Sequence, residues 1–141
     1  MIPDLQMSVL CDDVRQERSG KFILIGLFDG IALPAYPAVF ARICIVNRWC
    51  CGQGIYQERT RLIGADGTTV ISESKEVPVK LDAPEAFSTN VQFFLNTRLE
   101  VEGIYWVEIL LDGDIKLRYP IRVSRLNLPA PGQGARGAVE G

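Results

Sequence analysis

Apolar and polar residues alternate with a period of two along most of the chain. That spacing puts one side of an extended strand in a core and the other in water. Segments 5–11, 21–28, 39–49, 55–63, 69–77, 87–101, 104–111 and 115–123 carry it, with turn residues between them. Strands recurring about every dozen residues predict an all-β fold, an antiparallel β-sandwich of roughly seven or eight strands, immunoglobulin-like or a related Greek key. No segment holds a helical stripe over ten residues; 12–18 and 36–42 have room for one turn each.

The last two segments make a hairpin. Ile115, Leu117, Tyr119, Ile121 and Val123 alternate with Lys116, Arg118 and Arg122, and Tyr105, Val107, Ile109 and Leu111 form the matching apolar set. Odd must face odd, which predicts a three-residue loop, Leu111-Asp112-Gly113, with Gly113 left-handed. Ile109 is then expected opposite Ile115, and Glu108 opposite Lys116. In 87–101, Val91, Phe93, Leu95, Leu99 and Val101 share the expected inner side and Gln92, Asn96, Arg98 and Glu100 the other. Asp66-Gly67 marks a reversal, and Pro34, Pro37, Pro78 and Pro84 are expected in connections or at edges. Residues 1–126 read as one sandwich domain, and 127–141, rich in Pro, Gly and Ala, as a flexible tail.

Composition narrows the chemistry. With 141 residues, one domain is expected. Fifteen basic against 17 acidic residues give a net charge of −2, so nucleic acid is not an expected partner. Histidine is absent, which excludes Ser–His and Cys–His catalysis and histidine-ligated metals. The first six residues lack a basic leader, and no run reaches the roughly 18 apolar residues of a membrane span. A cytoplasmic address without a membrane partner follows as the expectation, with Cys11, Cys44, Cys50 and Cys51 as free thiols.

Residues 10–31, LCDDVRQERSGKFILIGLFDGI, and 36–49, YPAVFARICIVNRW, carry a resemblance. Cys11-Asp12-Asp13-Val14-Arg15, Gly20-Lys21, Gly26-Leu27-Phe28 and Tyr36-Pro37 are similar to the pattern of an uncharacterised bacterial family of small all-β proteins, a domain of unknown function. The resemblance extends over about residues 5–123. It implies one small β domain of bacterial source, and no activity, cofactor or site residue.

Asp12, Asp13 and Arg15, with Asp29, form the one candidate polar cluster: a small ligand- or metal-binding site or a carboxylate-dependent hydrolase. Neighbouring strand residues point to opposite faces, which weighs against it. Aspartates capping a strand end at Cys11, one of them paired with Arg15, are the simpler reading. Calcium at the six turn aspartates (Asp12, Asp13, Asp29, Asp66, Asp112 and Asp114) has the same difficulty, because turns favour Asp for local reasons. Cys50-Cys51 lacks the two-residue spacing of a redox pair and a second pair for zinc. Gly26, Gly30, Gly52, Gly54 and Gly103 form no phosphate cradle, and Lys116, Arg118, Arg122 and Arg125 read as a solvated stripe. No catalytic residue, metal or cofactor is assigned.

An apolar surplus is harder to place. Phe22, Leu24 and Phe28 alternate with Ile23, Ile25 and Leu27, and Ile104, Trp106 and Leu110 with Tyr105, Val107 and Ile109. A two-layer sandwich buries one face of each sheet. Phe22, Leu24, Phe28, Ile104, Trp106 and Leu110 are therefore the expected association surface of a non-enzymatic protein. A connecting segment such as 33–39 or the tail could cover it, and a homodimer, or a complex with another protein, is the leading expectation. Left bare, six such side chains present on the order of 500 Å².

Overall fold

The computed structural model describes residues 2–127. Its strands are β1 (Asp4–Gln16), β2 (Phe22–Phe28), β3 (Gly30–Leu33), β4 (Ala38–Cys50), β5 (Gly54–Ile63), β6 (Val70–Glu73), β7 (Val77–Leu81), β8 (Ser88–Leu99), β9 (Gly103–Leu111) and β10 (Asp114–Arg125). One sheet has the order β2-β1-β4-β8 and the other β3-β10-β9-β5-β6, with β7 also on β5. The expected all-β sandwich is present with ten strands. Two of them, β3 and β7, lie almost wholly outside the segments that carry the alternation. The β3–β10 pair is parallel, an exception to the expected antiparallel order. Residues 12–16 and 38–42 are strand rather than helical turn, because β1 stays paired with β2 as far as Gln16↔Phe22 and β4 with β8 from Ala38↔Leu99. The tail expected from residue 127 falls, beyond that residue, outside the described residues.

The core lies between the sheets. Leu10, Ile43, Ile45, Trp49 and Leu99 of one sheet meet Leu62, Tyr105, Val107, Ile109, Ile121 and Val123 of the other. Each such side chain gains about 1.5–3 kcal/mol on leaving water. The phenol of Tyr105 donates to the Val101 carbonyl at 2.7 Å, and Tyr119 and Ser8 share a 2.9 Å hydrogen bond.

The β9–β10 hairpin reaches the expected parity by another route. Leu111 pairs with Asp114 across a two-residue turn, Asp112-Gly113, with φ of 48° and 86°. Two positive φ values match the twist of the flanking strands. That turn sets Ile115 against Leu110, odd against even. A bulge between Ile115 and Leu117 then restores odd to odd: Leu117↔Ile109, Arg118↔Glu108, Tyr119↔Val107. The expected Ile109–Ile115 and Glu108–Lys116 pairs do not form. The extra residue in β10 does what an odd loop was expected to do, and Ile115 is left exposed.

Strand β8 is turned over along most of its length. Gln92 and Phe94 are buried, whereas Phe93 and Leu95 are exposed. Asn96, at φ 53°, breaks the alternation, and beyond it Thr97 and Leu99 are buried. The apolar set Val91, Phe93 and Leu95 therefore lies outward, against expectation. The polar set turns inward because Asn90 and Gln92 donate to buried Glu58.

Gly26 makes a similar break in β2. Its φ is 70°, and a β-carbon there would overlap the Asp12 carboxylate. Phe28 consequently packs on the main core with Leu10, while Leu24 packs on the outer side of the sheet. Gly26→Ala should lower stability by about 1–3 kcal/mol in urea unfolding, from the clash and the left-handed backbone together. Adding Asp12→Ala should recover only the clash part. Full stability in Gly26→Ala would show that no such close approach exists.

Candidate association surface

The two outer faces differ in chemistry. On the six-stranded sheet, Arg118 lies 4.8 Å over the Trp106 ring and 3.1 Å from Glu108. Arg61 reaches Glu73 at 2.7 Å and Glu108 at 3.9 Å, and Arg59 reaches Glu73 at 3.2 Å. Interleaved charges of both signs make this a face suited to water.

The outer face of the four-stranded sheet is apolar. Cys11, Cys44 and Val46 form a small buried nucleus there, ringed by Met7, Val9, Val14, Leu24 and Val91. Phe93 and Leu95 extend it at 47% and 64% exposure. Arginines sit at its rim over aromatic rings, Arg42 at 5.0 Å from Phe93 and Arg48 at 4.5 Å from Phe87. A groove of about 670 Å³ crosses this face, lined among others by Met7, Phe22, Leu24, Arg48 and Phe87. Cys11 and Cys44 are directly opposite each other on β1 and β4, as free thiols. Burial pushes Cys11 up, and burial with the neighbouring Cys11 pushes Cys44 up to about 12. Both stay protonated and weakly nucleophilic at neutral pH.

Strand β2 ends this sheet and is hydrogen-bonded on one side, to β1. Its sequence, FILIGLF, has no charge and no proline. Phe22, Ile23, Ile25 and Leu27 are exposed, Leu27 at 64%. Leu27 also lines a second groove of about 400 Å³ with Phe28, Tyr119 and Pro120. Exposed edges are usually blunted by lysine, proline or a covering segment. Here the interruption at Gly26 is the one irregularity of the strand.

The six residues expected to form an association surface divide. Phe22 and Leu24 lie on the apolar face of the four-stranded sheet. Phe28 turns to the core, its ring 6.4 Å from Phe40. Ile104, Trp106 and Leu110 belong to the other sheet, where Trp106 sits beneath Arg118 and Leu110 is 3% exposed. The polar candidates divide as well. Asp13 pairs with Arg15 at 3.1 Å and with Arg42 at 2.5 Å. A hydrogen bond from the Val14 amide and the two guanidinium groups hold its carboxyl below the usual carboxylate range. Asp12 abuts Gly26, whereas Asp29 follows Phe28 and lines the grooves beside Gly30 and Pro120. Phe28 pairs with Leu10, so Asp29 is displaced along the sheet by about 10 Å from Asp12 at a rise of roughly 3.3 Å per residue. Among the described residues no three Cys, Asp or Glu side chains gather as a metal site. Asp66 caps its own turn through Thr68 and Thr69, and the Asp112 carboxylate accepts the Gln57 amide.

Sequence reasoning passed over Met7, Val9, Val46, Val91, Phe93 and Leu95 as residues of this outer face. The available signal was that β1, β4 and β8 carry apolar residues at both parities. A family model described as a family of unknown function (DUF6941) matches residues 6–124. No curated protein matches the chain.

Proposed function

Starting from the fact that this chain belongs to a family of unknown function, DUF6941, we propose that the domain acts by protein–protein association through its four-stranded sheet, with a second copy of the chain as the partner. The observation that carries this is β2: an uncharged strand that, among the described residues, is paired on one side only and bears four exposed apolar side chains, continuous with an apolar sheet face. Edge-to-edge pairing of β2 with its copy would satisfy the free backbone groups and extend the sheet across a two-fold axis. Each Å² of apolar surface covered gains about 25 cal/mol, set against about 4–15 kcal/mol for loss of translational and rotational freedom. Backbone hydrogen bonds across the pair are the remaining favourable contribution. A carboxylate-based activity has less support, because Asp29 lies apart from Asp12, Asp13 and Arg15.

Light scattering coupled to size-exclusion chromatography tests the proposal. A species of twice the chain mass is expected, and it should persist in molar salt, since apolar contacts are not screened. A monomer at every concentration up to the limit of solubility overturns it.

A further inference from the structure

Cys50 and Cys51 are consecutive, and consecutive side chains of an extended strand point to opposite faces. Strand β4 ends at Cys50, and Cys51 takes φ 61°, a left-handed conformation that residues with a β-carbon seldom adopt. The turn leaves the two sulfurs 3.5 Å apart. Cys51 is exposed and Cys50 half-buried. The next residue, Gly52, is buried, and a β-carbon there would lie 2.8 Å from Pro3 and 3.1 Å from Leu81. Close packing at Gly52 thus holds the backbone that juxtaposes the thiols. Asp4, the cross-strand partner of Cys50, is the acid at this end of the sheet.

From this geometry we propose that Cys50 and Cys51 form a preorganised two-thiolate site for a soft, thiophilic metal or metalloid centre. A disulfide fits less well. Its sulfurs must close to about 2.05 Å, and adjacent Cα atoms at roughly 3.8 Å lie below its usual range. An atom bound through sulfur at about 2.3 Å holds its two sulfurs roughly 3.3–3.8 Å apart for angles between a right angle and tetrahedral. The observed separation lies inside that interval. With no third ligand gathered among the described residues, the site suits a centre content with two protein thiolates. Trivalent organoarsenic is the probe of that class. Phenylarsine oxide reacts without change of oxidation state: two As–S bonds form, the As–O bond breaks, and both thiol protons leave with the oxygen as water. This site is separate from the β2 edge and does not depend on association.

The test is native mass spectrometry of the full chain with phenylarsine oxide in excess 2-mercaptoethanol. One adduct per chain is expected, resistant to the monothiol and removed by dithiothreitol. Cys50→Ser and Cys51→Ser should each abolish it, while the Cys11→Ser/Cys44→Ser double variant keeps it. Circular dichroism confirms that each variant is folded, and the exposed Cys51 position keeps the test open if Cys50→Ser misfolds. No monothiol-resistant adduct on the parent, or one that survives Cys51→Ser, overturns the proposal.

Discussion

Ile25→Lys should convert the associated protein to a monomer while leaving its fold intact. Ile25 lies on β2 at 43% exposure, with Asp13 of β1 as its cross-strand partner. In an antiparallel pairing of β2 with its own copy, the centre of the strand is repeated close to the two-fold axis. Two lysines brought together there would repel each other and lose hydration on assembly. In the monomer the same lysine stays in water, with the Asp13 carboxylate as neighbour. A charged side chain at this position is also the usual natural device for blocking edge pairing. The expected weakening is about 100-fold or more in dissociation constant, close to 3 kcal/mol. The unfolding free energy of the monomer should move by no more than about 0.5 kcal/mol, as for other exposed substitutions. Ile104→Lys, on the charged face of the six-stranded sheet, is the control and should leave the mass unchanged. An Ile25→Lys protein with the parent's mass in light scattering would remove β2 from the interface.

The period-two pattern made the sandwich legible, because it reports directly that strands have two unlike sides. It could not report which side was inward wherever the alternation is interrupted. Leu24 and Phe28 share a parity yet pack on different sides of the sheet, since Gly26 takes a left-handed φ between them. In β8 the pattern pointed the wrong way. Val91, Phe93 and Leu95 look like core residues, but the interior there is polar, and its acceptor, Glu58, comes from β5 in a different part of the chain. The apolar surplus was visible in the sequence. Its location was not, because Trp106 is covered by Arg118 and Leu110 is buried. Only three-dimensional placement shows that, among the described residues, nothing covers β2 or the outer side of β8.

Glu58 is also where the largest loss of stability is expected. Its side chain is fully buried. The Trp49 indole N–H donates to one carboxylate oxygen at 2.5 Å, the Asn90 amide reaches the same oxygen at 3.4 Å, and the Gln92 amide donates to the other. Replacing a buried ion pair by apolar residues can be neutral. Here one carboxylate serves donors from three residues, and Glu58→Leu would orphan those of Trp49 and Gln92, since the Asn90 amide also donates to the Pro78 carbonyl. At about 1–3 kcal/mol for each unsatisfied buried group, a loss on the order of 4 kcal/mol is expected in urea unfolding. Glu58→Gln should cost less, because its oxygen still accepts from Trp49 and a rotated Gln92 amide can accept from its new NH₂ group. The two variants also separate the charge from the hydrogen bonds. Burial raises the Glu58 pKa, and its indole and amide hydrogen bonds oppose that only in part. A carboxyl with a raised folded-state pKa favours the fold fully below its unfolded value of about 4.3, and this contribution is lost as pH rises through the folded value. The parent should therefore gain stability relative to Glu58→Gln as pH is lowered through the raised folded-state value toward the unfolded one. Parallel pH profiles for parent and Glu58→Gln would mean that the carboxylate is solvated after all. A Glu58→Leu protein as stable as the parent would mean that Trp49 and Gln92 find other acceptors.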